Sequence, residues 1–265
     1  MITDTPQADA PVRLWRQGGI AHLRFNRPAS LNAIDLALAR AFLEGCRQLA
    51  EDKQVRVVVI SAEGRAFMAG GDLASMRADP VGGSSALIEQ MHPALEILAQ
   101  LPAPVIASVH GAVAGAGLGV ALACDLVIAA AGTRFNLAYP RIGTSCDCST
   151  SWGLVRAVGA RRAMEIALLN DVIEAEEAHR IGLINRVVAA EALAEQTAVL
   201  AGRLEGSAPM AMAHLKQLIR QADRNDLHTQ LALEARLFRQ CAATADFTEG
   251  MAAFVEKRPA RFEGL

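Results

Sequence analysis

The stretch PVIASVHGAVAGAGLGVALACDLVIAA, residues 104–130, contains the elements that decide the fold. Its first part, PVIASVH at 104–110, is a nearly continuous β-branched run, which is typical of a strand buried on both faces. A glycine-rich turn follows, and the apolar residues after it predict a buried helix that begins near Ala116. DLVIAA at 125–130 has the pattern of a further strand. This alternation of strand and helix predicts an α/β domain.

The glycines of this stretch match neither standard phosphate-binding loop. In Gly115-Ala116-Gly117-Leu118-Gly119 the third glycine comes one residue too early for a dinucleotide fingerprint, and no Gly-Lys-Ser/Thr follows as in a P-loop. The run 111–124 is also shorter than the about 20 apolar residues that a membrane span requires. Two interpretations remain. Small residues either expose the unpaired N–H groups of a helix start to a ligand oxygen, or let the helix pack closely.

The rest of the chain extends the α/β pattern and then changes. Before residue 104, strands are predicted at 20–26 and 55–62, and helices at 34–50 and 84–101. After residue 150 the helical period dominates, and it predicts helices at 151–158, 161–169, 174–181, 190–205, 207–221 and 226–243, with one last short strand at 185–188. The C-terminal third is therefore predicted to be a helical layer.

Composition excludes several classes of function. The 265 residues include 26 basic and 28 acidic side chains, so we expect no nucleic-acid partner held by a broad basic field. The N-terminal residues lack the pattern of a signal peptide, and the five cysteines are an odd number, which together favour a cytoplasmic protein with reduced thiols. Cys146 and Cys148 have no second pair of ligands at zinc spacing, so we expect no metal site.

A second glycine-bearing turn favours a ligand-binding role for the first one. GRAFMAGGDLASM at 64–76 follows the predicted strand 55–62 and ends at an apparent helix N-cap, Asp72. Two strands that each lead through a small-residue turn into a helix can place two backbone N–H groups around one oxygen. That arrangement is an oxyanion hole, which stabilises an enolate or a tetrahedral intermediate.

Five stretches in a fixed order resemble the crotonase (enoyl-CoA hydratase/isomerase) superfamily. They are FNRPASLNAID (25–35), GRAFMAGGDLASM (64–76), the opening stretch (104–130), RRAMEIALLNDVIEAEEAHRIGLINRVV (161–188) and FVEKRPARFEG (254–264). The resemblance implies a ββα spiral core over residues 1–200 and a C-terminal helical region, 201–265, that assembles homotrimers, often paired into hexamers. It also implies an acyl-CoA thioester substrate, with no cofactor beyond the coenzyme A of that substrate.

The resemblance assigns roles to individual positions. The oxyanion N–H groups would come from Gly71 and Ala116. Lys257 would lie where a C-terminal basic residue reaches the CoA phosphates, from the same or a neighbouring subunit. The other expected substrate contacts are Ala29, Ala33, Arg65, Ala69, Gly70, Asp72, Gly115, Gly117 and Tyr139.

The sequence departs from the hydratases of this family at both catalytic glutamates. Their positions match Gly119 and Tyr139, so the paired carboxylates that activate water and supply a proton are absent. Asp147 matches the position at which family isomerases carry a single catalytic aspartate. One base suffices for isomerisation, and we therefore favour an enoyl-CoA isomerase with Asp147 as its base. The alternative is that Asp147 only caps the helix that begins near 149–151.

Three other functions stay open. His92, Tyr139 and Asp147 match an arrangement in aroyl-CoA dehalogenases of the superfamily, in which the aspartate is the nucleophile and the histidine activates water. His92 would then be catalytic, although a single histidine on an amphipathic helix is more often structural. Hydratase activity is the second alternative, and a non-catalytic acyl-CoA-binding oligomer is the third.

Overall fold

The computed structural model describes residues 2–5 and 8–264. Their strands are β1 Val12–Gln17, β2 Ile20–Phe25, β3 Val57–Ala62, β4 Val105–Val109, β5 Ala112–Ala114, β6 Leu126–Ala130, β7 Arg134–Asn136, β8 Ile173–Glu174 and β9 Arg186–Val188. Their helices are α1 Leu36–Glu51, α2 Leu73–Met76, α3 Pro80–Gln100, α4 Ala116–Ala123, α5 Thr150–Leu169, α6 Ala175–Arg180, α7 Leu193–Glu205, α8 Pro209–Gln221, α9 Leu227–Ala242 and α10 Ala245–Glu256.

The strands form two sheets. The larger has six strands in the order β1-β2-β3-β4-β6-β9, and the smaller has three in the order β5-β7-β8. Within the larger sheet β1 and β2 are antiparallel, whereas every later neighbour is parallel. Each spiral turn therefore delivers a chain segment from the carboxyl end of one strand into the next helix, and those ends lie along one edge of the sheet.

The larger sheet is buried on both faces, as its β-branched strands predict. In β3, Val58 and Ile60 belong to the main core, which also contains buried residues of α1, α3 and α4. Val57 and Val59 point the other way and pack with Leu200 and Ala201 of α7. This alternation follows from the two-residue period of a strand. Because both faces are buried, β3 carries no polar residue before Ser61.

The structure confirms the predicted α/β class and most predicted elements. The predicted helices at 151–158 and 161–169 are the two halves of α5, which is interrupted at Gly159 by a non-helical φ of 75°. Sequence patterns missed β1, the short strands β5, β7 and β8, and helix α10. The predicted division after residue 200 falls within α7, and that division stays a prediction. Within 2–5 and 8–264, every helix is too short or too polar to cross a bilayer.

Candidate active site

The two glycine-bearing turns lie side by side because a parallel bridge sets their register. Met68 pairs with Val113: the Met68 N–H donates to Ala112 O at 3.0 Å, and the Ala114 N–H donates to Met68 O at 2.9 Å. Three residues further along both segments, the same register places Gly71 beside Ala116. Two segments far apart in sequence thus bring together the two residues that the resemblance assigns to the oxyanion hole.

Glycines 70 and 115 permit this close approach. Gly70 has a φ of +107° and Gly115 a φ of +54°, both in the region that favours glycine. A Cβ on Gly115 would lie 3.3 Å from the Gly70 Cα, so a side chain there would also push the turns apart. Gly117 serves packing instead, since its Cβ would lie 2.6 Å from Met68 O. Both interpretations of the glycine-rich stretch therefore hold, at different residues.

The N–H groups of Gly71 and Ala116 are available to a ligand. Ala116 is the first residue of α4, so its N–H has no intrahelical acceptor. Ile34 bonds to the residues on either side of Gly71, donating to Gly70 O at 2.8 Å and accepting from the Asp72 N–H at 2.9 Å. Within the described part of the chain, neither the Gly71 nor the Ala116 N–H donates to a protein acceptor. The start of α4 adds its partial positive charge.

These donors open onto a cleft of about 210 Å³ that also contains Tyr139 and Asp147. Its walls are mostly apolar, and Asp147 is the one carboxylate among the described residues that line it. The remaining lining residues are Ile34, Leu73, Met76, Ser84, Leu87, Ile88, Met91, Ile142, Thr144, Ser145 and Cys148. The arrangement can bind an oxygen that becomes negatively charged and exchange one proton with a nearby carbon.

Asp147 is bonded to Tyr139 and does not cap a helix. The Tyr139 hydroxyl donates to Asp147 Oδ1. Ser149 is the N-cap residue of α5 and makes no side-chain capping bond, while Asp147 contributes only its backbone oxygen, which accepts from the Thr150 N–H at 3.0 Å. The interpretation of Asp147 as a capping residue is therefore wrong. Its carboxylate faces the cleft and not the end of α5.

Burial shifts the titration of the two groups beside this carboxylate. The pKa of Tyr139 is raised, first by burial and then by the negative charge of Asp147. The pKa of the Cys148 thiol is raised for the same two reasons in the same order. Both groups therefore keep their protons at neutral pH and are donors beside the Asp147 carboxylate.

The loop that carries Asp147 packs directly against α4 at Gly119. Cys148 and Ser149 have φ values of 49° and 58°, a left-handed turn that brings the chain back against α4. A Cβ on Gly119 would lie 2.2 Å from Cys148 O and 2.7 Å from Thr150 Oγ1. The backbone of this loop therefore occupies the place where any side chain at position 119 would begin.

Some of the other predicted contact positions lie in the segments beside this cleft, and others are exposed outside it. Ala33, Ala69, Gly70 and Asp72 belong to the paired segments around Ile34, and the Ala69 N–H donates to Leu31 O at 3.1 Å. Ala29 and Arg65 are exposed on the turns that enter these segments. Lys257 is exposed at the end of α10 and is not among the residues that line the cleft.

The structure does not bring His92 together with Asp147. His92 is exposed on α3 and is not among the residues that line the cleft. Leu87, Ile88 and Met91 of the same helix do line it, at the spacing of one helical face. Sequence analysis did not single out these three residues, although the apolar period of 84–101 contains the signal. It also gave no indication of the bond between Tyr139 and Asp147.

Comparisons with known sequences and structures give the family of this chain. Residues 15–265 match the sequence profile of the family described as Enoyl-CoA hydratase/isomerase. The chain is 38% identical to the 1,2-epoxyphenylacetyl-CoA isomerase of Escherichia coli K12, over 93% of this chain and 95% of that protein. It is 34% identical to the 2,3-dehydroadipyl-CoA hydratase of the same organism, over 94% and 97%. A crystal structure of an enoyl-CoA hydratase from Bacillus anthracis superposes with a TM-score of 0.92 at 29% identity, covering 96% of this chain and 100% of that one.

Proposed function

Because this chain belongs to the enoyl-CoA hydratase/isomerase family, we propose that it is an enoyl-CoA isomerase that moves a double bond with a single base, Asp147. The family implies an acyl-CoA thioester as substrate. Its named relatives include both an isomerase and a hydratase, so the choice between these two reactions depends on the residues of the cleft.

The proposed reaction needs two backbone donors and one carboxylate. The Gly71 and Ala116 N–H groups bind the thioester oxygen. Asp147 then removes a proton from Cα of a 3-enoyl thioester, and the electron pair of that C–H bond spreads into a dienolate whose negative oxygen the two N–H groups stabilise. The protonated Asp147 returns the proton to Cγ, which leaves the double bond between Cα and Cβ. Neither water nor a second carboxylate takes part.

One observation carries the choice of isomerase over hydratase. The Cys148 carbonyl lies where a side chain at position 119 would start, at 2.2 Å from the hypothetical Cβ. The first hydratase carboxylate therefore has no place in this backbone, and the second position holds the protonated phenol of Tyr139. Hydration needs one group to activate water and another to protonate carbon. Isomerisation needs only the carboxylate that the cleft has.

Product analysis of thioesters incubated in D₂O tests this proposal. With 3-enoyl-CoA substrates of several lengths we expect an isomeric 2-enoyl product, in which deuterium enters at Cγ only to the extent that the protonated Asp147 exchanges with solvent before it returns the proton. We expect the Asp147→Asn variant to lose at least about 100-fold in kcat/KM. Glu89→Gln is the control, since Glu89 is an exposed carboxylate of α3 that is not among the cleft-lining residues. A product heavier by one water, or an active Asp147→Asn variant, contradicts the proposal.

The acyl group is open within this proposal. The apolar walls favour a hydrocarbon chain or a ring, and the similarity to 1,2-epoxyphenylacetyl-CoA isomerase makes arylacetyl-CoA derivatives a second set of substrates to screen. The screen ranks substrates by kcat/KM with the same Asp147→Asn variant as the blank. A substrate class on which that variant is as active as the wild type is not processed by the proposed mechanism.

We also propose that the C-terminal helices assemble a homotrimer or a dimer of trimers. Ile219 of α8 and Phe254 of α10 are 74% and 86% exposed in the single chain, and α8–α10 carry other exposed large apolar residues. Surface of this kind is typical of a protein interface. Lys257 directly follows α10 and is exposed. We therefore propose that it binds the CoA phosphates either in its own subunit or in the neighbouring one. Light scattering on the eluted protein measures the assembly, and a monomer contradicts it.

A further inference from the structure

We propose that Tyr139 is a positioning residue that holds Oδ1 of Asp147 and thereby leaves Oδ2 as the oxygen that exchanges the proton with substrate. This inference rests on the proposed function, since it takes Asp147 as the base. It adds a second residue to the reaction and assigns separate tasks to the two oxygens of the carboxylate.

The hydrogen bonding of the carboxylate carries the inference. The Tyr139 hydroxyl donates to Oδ1 of Asp147, and both residues line the cleft. A phenol has one proton to donate, so it can hold only one carboxylate oxygen. Among the geometric hydrogen bonds of residues 2–5 and 8–264, the Tyr139 hydroxyl is the one donor to the Asp147 carboxylate, and the Cys148 thiol lies beside that carboxylate and keeps its proton. The two oxygens are therefore chemically distinct before any substrate binds.

The backbone around Tyr139 is fixed from both sides. Ala138 adopts a left-handed φ of 66°, and its N–H donates at 2.8 Å to Oδ1 of Asn170, a buried residue. On the other side, the Thr144 N–H donates to Tyr139 O at 3.3 Å. A side chain whose backbone is tied in this way presents its hydroxyl in one direction. These backbone bonds hold the Tyr139 side chain in the direction in which its hydroxyl donates to Asp147.

The direction of the hydrogen bond follows from the proton affinities. Burial and the charge of Asp147 both raise the pKa of Tyr139, so the phenol keeps its proton and donates it. The other groups that bear on it are the Cys148 thiol, whose pKa is also raised by burial, and the Thr150 hydroxyl. Tyr139 is therefore a donor to the base and not itself the base.

The hydrogen bond has a consequence for turnover. Replacing Tyr139 by Phe removes the donor that holds Oδ1 of Asp147, and the carboxylate is then free to rotate away from the productive geometry. We expect kcat to fall about 10- to 100-fold while KM changes less than about twofold, because the backbone donors that bind the thioester oxygen are unchanged.

The composition of the chain makes the test unusually direct, because Tyr139 is its one tyrosine. Growth on 3-fluorotyrosine changes this site alone and keeps the ring. The fluorinated protein keeps the hydroxyl as a donor, so it should recover at least about tenfold of the kcat that Tyr139→Phe loses. Tyrosine labelled with ¹³C at Cζ gives one resonance, whose position should differ between the wild type and Asp147→Asn because the acceptor of the phenol changes.

The outcomes separate this inference from the proposed function. If Asp147→Asn is inactive while Tyr139→Phe keeps the wild-type kcat, the positioning role is wrong and the proposed function stands. If Asp147→Asn retains isomerase activity, both the proposed function and the positioning role are wrong. If kcat falls in Tyr139→Phe but the fluorinated protein recovers none of it, or the labelled resonance is the same in the wild type and Asp147→Asn, Tyr139 has a structural role only and the inference is overturned.

Discussion

The cleft has two walls that are built by different means. The donor wall, residues 68–72 and 113–117, presents backbone N–H groups whose positions depend on strand register and on glycine. The base wall, residues 138–150, presents side chains from a loop in which Ala138, Cys148 and Ser149 all have left-handed φ values. The donor wall can thus be kept while the base wall is rebuilt, and different reactions on one kind of thioester can share the first and differ in the second.

Catalysis should be lost when the two turns of the donor wall are forced apart. We expect Gly115→Ala to lower kcat/KM by about 100- to 1000-fold, because the new Cβ meets Gly70 and displaces the Gly71 and Ala116 donors. Steady-state kinetics on the best substrate measures the effect, and a fall of less than about 10-fold contradicts the role of the close approach.

Gly132→Ala is the matched control for this substitution. Gly132 also has a positive φ, +79°, but a Cβ there would meet nothing within 4 Å. It therefore carries the backbone strain of a left-handed residue, about 1 kcal/mol, without the steric contact. We expect its kcat/KM to match the wild type once the folded fraction is taken into account.

The base wall should be sensitive at the point where it rests on α4. We expect Gly119→Ala to lower the free energy of unfolding by at least about 2 kcal/mol, because the Cβ would overlap the Cys148 carbonyl. Urea unfolding followed by circular dichroism measures it. Gly202→Ala is the control, since Gly202 of α7 has open space and a helix-favouring residue there should stabilise by up to about 1 kcal/mol. Equal effects of the two substitutions contradict the packing described for the base wall.

The same contrast separates what the sequence predicted from what it did not. The donor wall was predictable because each turn follows a strand of continuous β-branched residues and consists of small residues, which leave the N–H groups of the next helix accessible. The partner of Asp147 was not, because the bond depends on a loop path set by Ala138, Cys148 and Ser149, which have no sequence signal for left-handed backbone. The strands β5 and β7, Ala112–Ala114 and Arg134–Asn136, were missed because three residues are too few to show a period.

The buried phenol of the base wall should make stability fall at alkaline pH. Its pKa is raised in the folded chain, so its contribution is complete below the ordinary tyrosine value of about 10 and is lost as the pH rises above it. Each pH unit in that range should cost about 1.4 kcal/mol more in the wild type than in Tyr139→Phe. Comparing the two proteins removes the contribution of the buried thiols. Parallel stability curves for the two proteins above pH 10 contradict the shift.

The smallest effect on kcat/KM is expected from substitution of His92. This substitution tests whether catalysis uses a residue outside the cleft lining. Its side chain is exposed on α3, outside the cleft lining, while Met91 beside it is buried and does line the cleft. We therefore expect His92→Gln to change kcat/KM less than about twofold on enoyl-CoA substrates, within the range that an uninvolved surface residue allows. Met91→Ala is the positive control, because it removes a wall of the pocket. A loss of activity at His92 comparable to that at Asp147, measured on an aroyl-CoA thioester, would favour the nucleophilic mechanism and would require α3 to turn His92 toward the cleft when substrate binds.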